Sequence, residues 1–116
     1  MIGLPVLAMS VMFSQIQSGK GFIIRTNGDV VPFNPTVEHE DYKIYDMKTV
    51  REVCNFDYFE IARLNDDMIL ICDEEALCKN SPVINTIATK LYQNAYNNDS
   101  IGIFGDCVIC HTRAVN

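Results

Sequence analysis

Three side chains whose types and spacing could do chemistry lie near the end of this 116-residue chain, where Cys107, Cys110 and His111 form a C-x-x-C-H pattern. Such a pattern is typical of covalent haem attachment. The two residues between the thiols, Val108 and Ile109, are β-branched and favour a strand. Residues three apart on a strand face opposite sides, so the thiols would not share a haem. The sequence therefore predicts no haem and no other cofactor.

Zinc is the stronger metal hypothesis for the cysteines. Cys72 and Cys78 would join Cys107 and Cys110 in a four-thiolate site if the segments that carry them were neighbours. A zinc site needs all four thiolates to converge on one point. Cysteines within apolar runs more often pack as small hydrophobic residues, so we predict no metal site. The odd count of five, without a secretory framework, fits a reducing cytoplasm.

Two polar clusters are the candidate ligand-binding residues. Asp73, Glu74 and Glu75 follow an apolar run and are suited to a divalent cation or to acid–base chemistry. Asn85 and Thr86 fall in the first turn of a predicted helix, where free backbone amides favour an anion. No nucleophile motif or phosphate-binding glycine loop occurs, so the sequence predicts no catalytic residue.

Composition and charge limit the possible classes of protein. The chain is 48% hydrophobic and 21% charged, which predicts an ordered globular chain with room for one domain. Its net charge of −6 gives no electrostatic basis for binding a nucleic-acid backbone. Residues 1–18 contain an apolar run too short to span a bilayer. We therefore expect an N-terminal arm over residues 1–18 that packs on the domain or forms a homo-oligomer, and a single domain over residues 19–116.

The strands are predicted from apolar runs and turn residues. Five segments have strand character, residues 21–25, 30–33, 56–64, 68–72 and 107–112, and residues 101–104 form either a short strand or a bend. The first four form two hairpins, the first of them closed by a two-residue turn at Asn27 and Gly28. Pro32 places its strand at a sheet edge. Residues 34–45 are predicted to be a polar loop.

Two helices complete the predicted fold. Asp46 is a suitable N-cap for a short helix over residues 46–54. Ser81 and Pro82 are suited to start a longer helix that ends near Tyr96. Its apolar stripe consists of Ile84, Ile87 or Ala88, Leu91 and Ala95. The sequence thus predicts an α+β fold, a mostly antiparallel sheet of four to six strands with two helices mainly on one face.

This order of elements resembles a family of small proteins encoded largely by bacteriophages, plasmids and related mobile elements, catalogued as a domain of unknown function. The matching segments are GFIIRTNGDV, FEIARLNDDMILICDEEAL, KNSPVINTIATKLY and IFGDCVIC, over about residues 21–110. Ala76 departs from the glycine that the family commonly has after the acidic pair. The resemblance implies an origin in a mobile element and no established activity.

The functional expectation combines the resemblance with the residues. We expect a non-catalytic accessory protein in the host cytoplasm that binds a host protein or a small anionic signalling ligand, for example to blunt a host defence system. The alternative is a small metal-dependent enzyme that uses the acidic turn at Asp73, Glu74 and Glu75. Neither expectation involves nucleic acid or a membrane span.

Overall fold

The computed structural model describes residues 6–115. The helices in this range are α1 Val6–Gln17, α2 Met47–Cys54 and α3 Thr86–Tyr96. The strands are β1 Phe22–Ile24, β2 Val30–Pro32, β3 Val37–His39, β4 Tyr42–Ile44, β5 Phe59–Arg63, β6 Met68–Asp73 and β7 Cys107–His111. Single 3₁₀ turns follow β6 and β7, at Ala76–Cys78 and Thr112–Ala114.

A five-stranded antiparallel sheet forms the centre of the protein, in the order β2-β1-β7-β6-β5. Its middle strand, β7, pairs with β1 on one side and with β6 on the other. Val108 lies opposite Ile23 on β1 and Ile71 on β6, and all three are buried. The α+β class and the mostly antiparallel sheet of four to six strands are therefore confirmed.

Each face of the sheet has its own apolar core because side chains alternate along β7. Cys107 and Ile109 point to the face covered by α1 and α3. Val108 and Cys110 point to the face covered by α2 and by the turn after β7. Two helices thus share one face, as expected, but they are α1 and α3. The helix predicted over residues 46–54, α2, covers the opposite face.

The first hairpin is confirmed, but its predicted two-residue turn is wrong. The backbone amide of Arg25 donates to the Asp29 carbonyl oxygen at 2.8 Å, so three residues, 26–28, lie between the residues that close the hairpin. Gly28 has a positive φ of 97°, whereas Asn27 does not. The Asn27 side chain instead accepts a hydrogen bond from the Asp29 amide at 2.9 Å. This local bond stabilises a wider turn than the Asn-Gly pair alone predicts.

The predicted polar loop over residues 34–45 contains a second, two-stranded sheet, so that prediction is wrong. Strands β3 and β4 pair over three residues each, with Glu38 opposite Lys43. Glu40 turns the chain between them with a φ of 54°. Every described side chain of these two strands is exposed or half-buried. The apolar alternation that identifies a half-buried strand is therefore weak here.

Helix α2 agrees with its prediction at both ends. The Asp46 carboxylate accepts from the Lys48 amide at 3.3 Å, which is the expected N-cap. Asn55 ends the helix with a φ of 58°, the left-handed conformation expected of a C-cap asparagine. Val50 and Cys54 are the buried residues of its inner face.

Helix α3 begins four residues later than predicted. Asn85 is its N-cap, not Ser81, and Pro82 lies outside the helix. The preceding residues are extended and pair with a neighbouring segment: the Asn85 amide donates to the Ile103 carbonyl, and the Gly105 amide donates to the Val83 carbonyl, both at 2.8 Å. This pairing satisfies backbone groups that a helix from Pro82 would have used.

The apolar stripe of α3 is confirmed in its central part. Ile87, Ala88 and Leu91 are buried in the core shared with α1. Ile84 precedes the helix, is 47% exposed and forms an isolated β-bridge with Phe104.

The predicted N-terminal arm contains helix α1, which packs against the sheet. Met12 and Ile16 are 4% and 0% exposed and belong to the core shared with α3. Val11, on the outer side, is 51% exposed. Residues 1–5 of the arm lie outside the described range. Within residues 6–115, no helix combines the length and the apolar character needed to cross a bilayer.

Candidate functional site

The acidic turn does not form a converging cluster of carboxylates. Asp73, the last residue of β6, is buried, and its carboxylate lies 2.7 Å from the Lys79 ammonium. It also accepts a hydrogen bond from the Glu75 amide at 2.9 Å. Glu74 and Glu75 are exposed. Among the described residues, no three His, Cys, Asp or Glu side chains are placed to hold a metal ion. The three carboxylates of the turn therefore lie in different environments, one buried and paired and two exposed.

Asp73 opens onto a cleft of about 220 Å³ at one end of the sheet, here called the paired cleft, which Thr26, Lys79 and Asp106 also line. Asp106 precedes β7, and its carboxylate accepts from the Arg25 guanidinium at 2.8 Å and from the Thr26 amide at 2.9 Å. All three charged side chains that line the paired cleft are thus in ion pairs, Asp73 with Lys79 inside the lining and Asp106 with Arg25 beside it.

Cys54 also lines the paired cleft, but its thiol is not suited to nucleophilic chemistry. Burial raises the pKa of Cys54 to about 12, with a smaller contribution from the nearby Asp106 carboxylate. The thiolate is the reactive form of cysteine, and this pKa keeps the thiol protonated at neutral pH. We therefore assign Cys54 to the packing of α2 against the sheet.

Asn85 has a structural role where a ligand-binding role was expected. Its side chain is completely buried, and its amide group donates to the carbonyl oxygens of Ile24 and Gly105, both at 2.9 Å. Its side-chain oxygen accepts from the Ala88 amide at 3.2 Å. These bonds tie the start of α3 to the ends of β1 and β7 and leave the amide inaccessible to a ligand. Thr86 is exposed on the first turn of α3.

The cysteines are distributed over different environments. Cys107 belongs to the core under α1 and α3, whereas Cys110 belongs to the opposite core. A hydrogen bond with the Cys72 thiol, together with burial, raises the pKa of Cys107. Cys78 is exposed in the 3₁₀ turn after β6. The four thiols considered for zinc therefore do not converge, because the sheet separates Cys110 from Cys107 and Cys72.

A second cavity, of about 340 Å³, lies where the turn after α1, the β3–β4 hairpin and the end of β7 meet. We call it the basic groove, because its lining includes Lys20, Lys43, His111 and Arg113. Asp41 is the single acidic residue of the lining. The whole chain has 9 lysines and arginines against 15 acids, so three of its cations face one groove against the general charge balance.

Packing against the backbone and an aromatic ring holds Arg113 in the groove. Gly19 has a φ of 103°, and a Cβ at this position would lie 3.3 Å from a terminal nitrogen of Arg113. The guanidinium carbon lies 5.4 Å from the centre of the Tyr42 ring, within the range of a cation–π contact. The Arg113 cation is therefore placed between the turn after α1 and the β3–β4 hairpin.

His111 adds a hydrogen-bond donor to the groove. Its Nδ1 accepts from the Arg113 backbone amide at 3.1 Å, which leaves the proton of the neutral ring on Nε2. Burial and the Arg113 charge lower the pKa of His111 below its ordinary value of 6.5, against a smaller raising effect of Asp67. The neutral form of the ring is therefore favoured at pH 7, and protonation requires a pH below 6.5.

The groove is assembled by contacts far apart in the chain. The Tyr45 amide, just after β4, donates to the Ala114 carbonyl oxygen at 2.9 Å and holds the hairpin beside Arg113. The Tyr45 hydroxyl donates to the Phe33 carbonyl, and a side chain at Gly21 would occupy its position. These contacts fix the distance between the hairpin that carries Lys43 and the turn before β1.

The cations of the basic groove form few ion pairs with carboxylates of the described chain. Among the described residues, Lys20 and Arg113 form no ion pair. Lys43 lies 3.6 Å from Glu38, but both side chains are more than half exposed, and such pairs contribute little stabilisation. Three cations thus line the groove against one carboxylate, that of Asp41, and a bound anion would offset this excess.

None of the basic groove residues was predicted as a ligand site. Lys20, Lys43 and Arg113 are separated by 23 and 70 residues, and no local motif connects them. His111 was considered only as part of the C-x-x-C-H pattern. These residues come together because β1 lies beside β7 and because β3 and β4 form a hairpin. The sequence did not indicate this arrangement.

Comparison of the chain with protein-family models, with curated proteins and with solved structures gave no match. The mobile-element family therefore stays an expectation from the sequence.

Proposed function

We propose that this protein is a non-catalytic binding protein that holds a small anionic ligand, such as a phosphorylated signalling molecule, in the basic groove. The observation that carries the proposal is the convergence of Lys20, Lys43, His111 and Arg113 on one cavity of a chain with a net charge of −6. Cationic side chains with flexible heads are the groups that bind phosphate oxygens, and arginine can do so with two parallel hydrogen bonds.

The shape of the groove suits a small ligand. Its volume of about 340 Å³ falls at the lower end of the range for small-molecule sites. The Tyr42 ring provides an apolar wall beside the cations, so a ligand with both a phosphate and a flat ring would find partners for each part.

Binding without catalysis agrees with the hydrogen bonding of Ser18, the serine of the groove lining. The Ser18 hydroxyl donates to the Gln15 carbonyl at 2.8 Å, so it is engaged with the last turn of α1. A serine nucleophile would instead need a hydrogen bond to a base such as His111. Within the proposal, the groove captures the anion and leaves its bonds intact.

The cellular setting of the proposal rests on the sequence resemblance. An accessory protein of a phage or plasmid that binds a phosphorylated ligand in the host cytoplasm would lower the free concentration of that ligand. Sequestration of a signal needs affinity and abundance, and no catalysis. A host protein as the partner is the competing expectation.

Isothermal titration calorimetry with inorganic pyrophosphate tests the proposal. The parent protein should bind one pyrophosphate per chain, and the double variant Lys43→Ala, Arg113→Ala should bind at least tenfold more weakly. The control is Lys90→Ala, Arg51→Ala, which removes the same residue types outside the groove lining. No saturable binding by the parent, or equal losses in both double variants, would refute the groove as an anion site.

A further inference from the structure

The two edges of the five-stranded sheet differ in the backbone groups that they leave unpaired. Strand β5 forms one edge and pairs with β6 alone among the described strands. The amide of Leu64 donates to the Met68 carbonyl at 2.9 Å, and the amide of Glu74 donates to the Tyr58 carbonyl at 3.0 Å. Hydrogen-bonded and non-bonded pairs alternate along an antiparallel ladder. Even-numbered residues from 58 to 64 therefore bond to β6, and the odd-numbered ones face outward.

The outward residues of β5 are Phe59, Ile61 and Arg63. Within residues 6–115, neither the N–H nor the C=O of these three residues has a partner on the outer edge, so β5 presents three donors and three acceptors in a row. The strand FEIAR contains no proline and no lysine, the residues that commonly block edge pairing. Ile61 is 43% exposed on this edge.

The opposite edge, β2, is protected. The amide of Arg25 donates to the Asp29 carbonyl, and the amide of Phe33 donates to the Gly21 carbonyl, so the odd-numbered residues face β1. The residues that face outward are Val30 and Pro32, and proline has no N–H to donate. One free donor is left on this three-residue strand, which is too little for a stable added strand.

We propose that β5 pairs with β5 of a second copy of this chain, antiparallel about a two-fold axis at Ile61. In this register Ile61 faces Ile61 of the second copy, and Phe59 faces Arg63 of the second copy. The outward groups then form three hydrogen-bonded pairs of two bonds each. The two sheets join into one continuous sheet.

The side chains of β5 suit this register because they do not oppose like charges. The arginine at position 63 meets the aromatic ring of Phe59, a favourable cation–π partner. Glu60, on the other face, meets Ala62 of the second copy. A closed two-fold contact of this kind uses the same strand on both copies and cannot extend into a fibre. The added strand covers Ile61, one of the exposed large hydrophobic residues of the described chain.

Sedimentation equilibrium of the full chain over a hundredfold range of concentration tests the dimer. The parent should shift from monomer to dimer, and Ile61→Lys should stay monomeric, because two lysines would face each other at the axis. Val31→Lys, on the protected edge, is the matched control and should dimerise like the parent. Circular dichroism confirms that each variant is folded.

A mixing experiment supplies the sharper test. Ile61→Lys and Ile61→Glu should each be monomeric alone and should form a one-to-one dimer when mixed, because the opposite charges then meet at the axis. A parent that stays monomeric, a dimer that Val31→Lys abolishes, or a dimer that persists in Ile61→Lys would overturn the proposal. A parent that is monomeric alone but binds a host protein through Ile61 would also overturn it, and would assign the edge to that protein.

Discussion

The two ends of the central sheet use their charges in different ways. At the paired cleft, the Asp73 and Asp106 carboxylates each have a cation within 2.8 Å and a backbone amide as well. At the basic groove, Lys20 and Arg113 have no carboxylate partner among the described residues. Charges that partners already satisfy stabilise the fold, whereas unpaired charges that line a cavity are available to a ligand. Asp73, the buried member of the predicted acidic cluster, belongs to the first kind, and the basic residues of the groove belong to the second.

The largest expected effect concerns α1, the helix that leads into the basic groove. Removing residues 1–17 exposes the surface that Met12 and Ile16 cover, which should cost about 3 to 6 kcal/mol. This is a large share of the stability of a small domain, so we expect an unfolded or barely folded chain. The sequence suggested the opposite, because it placed residues 1–18 in an arm outside a domain over residues 19–116 that should fold without it.

Urea unfolding monitored by circular dichroism measures this effect. Val11→Ala, on the exposed side of α1, is the control and should change the free energy of unfolding by less than about 0.5 kcal/mol. A truncated chain with the urea midpoint of the parent would show that α1 is dispensable for folding. The end of the sheet that carries the basic groove would then be stable without it.

The next largest expected effect on stability concerns Asn85, at the end of the sheet that carries the paired cleft. Asn85→Ala removes the hydrogen bonds to the Ile24 and Gly105 carbonyl oxygens and the N-cap of α3, with an expected cost of about 3 to 5 kcal/mol. Asn94→Ala, exposed on the same helix, should cost less than about 0.5 kcal/mol. Equal unfolding midpoints for the two variants would contradict the bracing role of Asn85.

A pair of lysine variants compares the two ends directly. Lys79→Ala leaves the buried Asp73 carboxylate without its cation and the Asn55 carbonyl without its donor, so we expect a loss of about 1 to 3 kcal/mol. Lys43→Ala breaks an exposed pair in the groove and should cost less than about 0.5 kcal/mol. If thermal denaturation shows equal losses, the distinction between paired and available charges is wrong.

The smallest effect is the pH dependence of the groove. The pKa of His111 is lowered, so the folded protein takes up this proton only below pH 6.5. Any stability from the neutral ring is present above that pH and is lost as the pH falls through the folded-state pKa. A bound anion favours the charged ring, so the affinity for sulfate should rise about threefold to tenfold between pH 7.5 and pH 5.5.

Sulfate keeps its charge over this range, which makes it a suitable probe for the titration. His111→Gln retains hydrogen bonding but cannot gain a charge, and its affinity should not change with pH. A parent whose sulfate affinity is flat, or a variant with the slope of the parent, would place the titrating group elsewhere.

Local signals in the sequence predicted much of the fold. The Asp46 and Asn55 caps define α2 because each acts through its own neighbouring backbone. The β5–β6 hairpin follows from alternation and a polar turn. The start of α3 was misplaced because the pairing of residues 83–85 with residues 103–105 is a contact between distant segments. The helix and strand propensities of individual residues give little information about such a contact.

The candidate site was less predictable than the fold. Asp73, Glu74 and Glu75 are adjacent in sequence, but a strand end turns neighbouring side chains in different directions, and only Asp73 points inward. The groove residues show the reverse, since Lys20 and Arg113 are 93 positions apart and meet only through the order of the strands. Proximity in the sequence suggested a carboxylate cluster at residues 73–75 that does not form. The large separation of the groove residues gave no indication that they meet.

The central position of β7 determines when the sheet can be completed during synthesis. Residues 22–32 and 59–73 can each form a hairpin as they are made, but the two hairpins have no strand contact with each other until residues 107–111 are inserted between them. Until then, the inner edges of β1 and β6 are open to wrong partners. Closing the sheet is therefore a late event that joins both halves at once, and a nascent chain that stalls before residue 107 would be prone to aggregation.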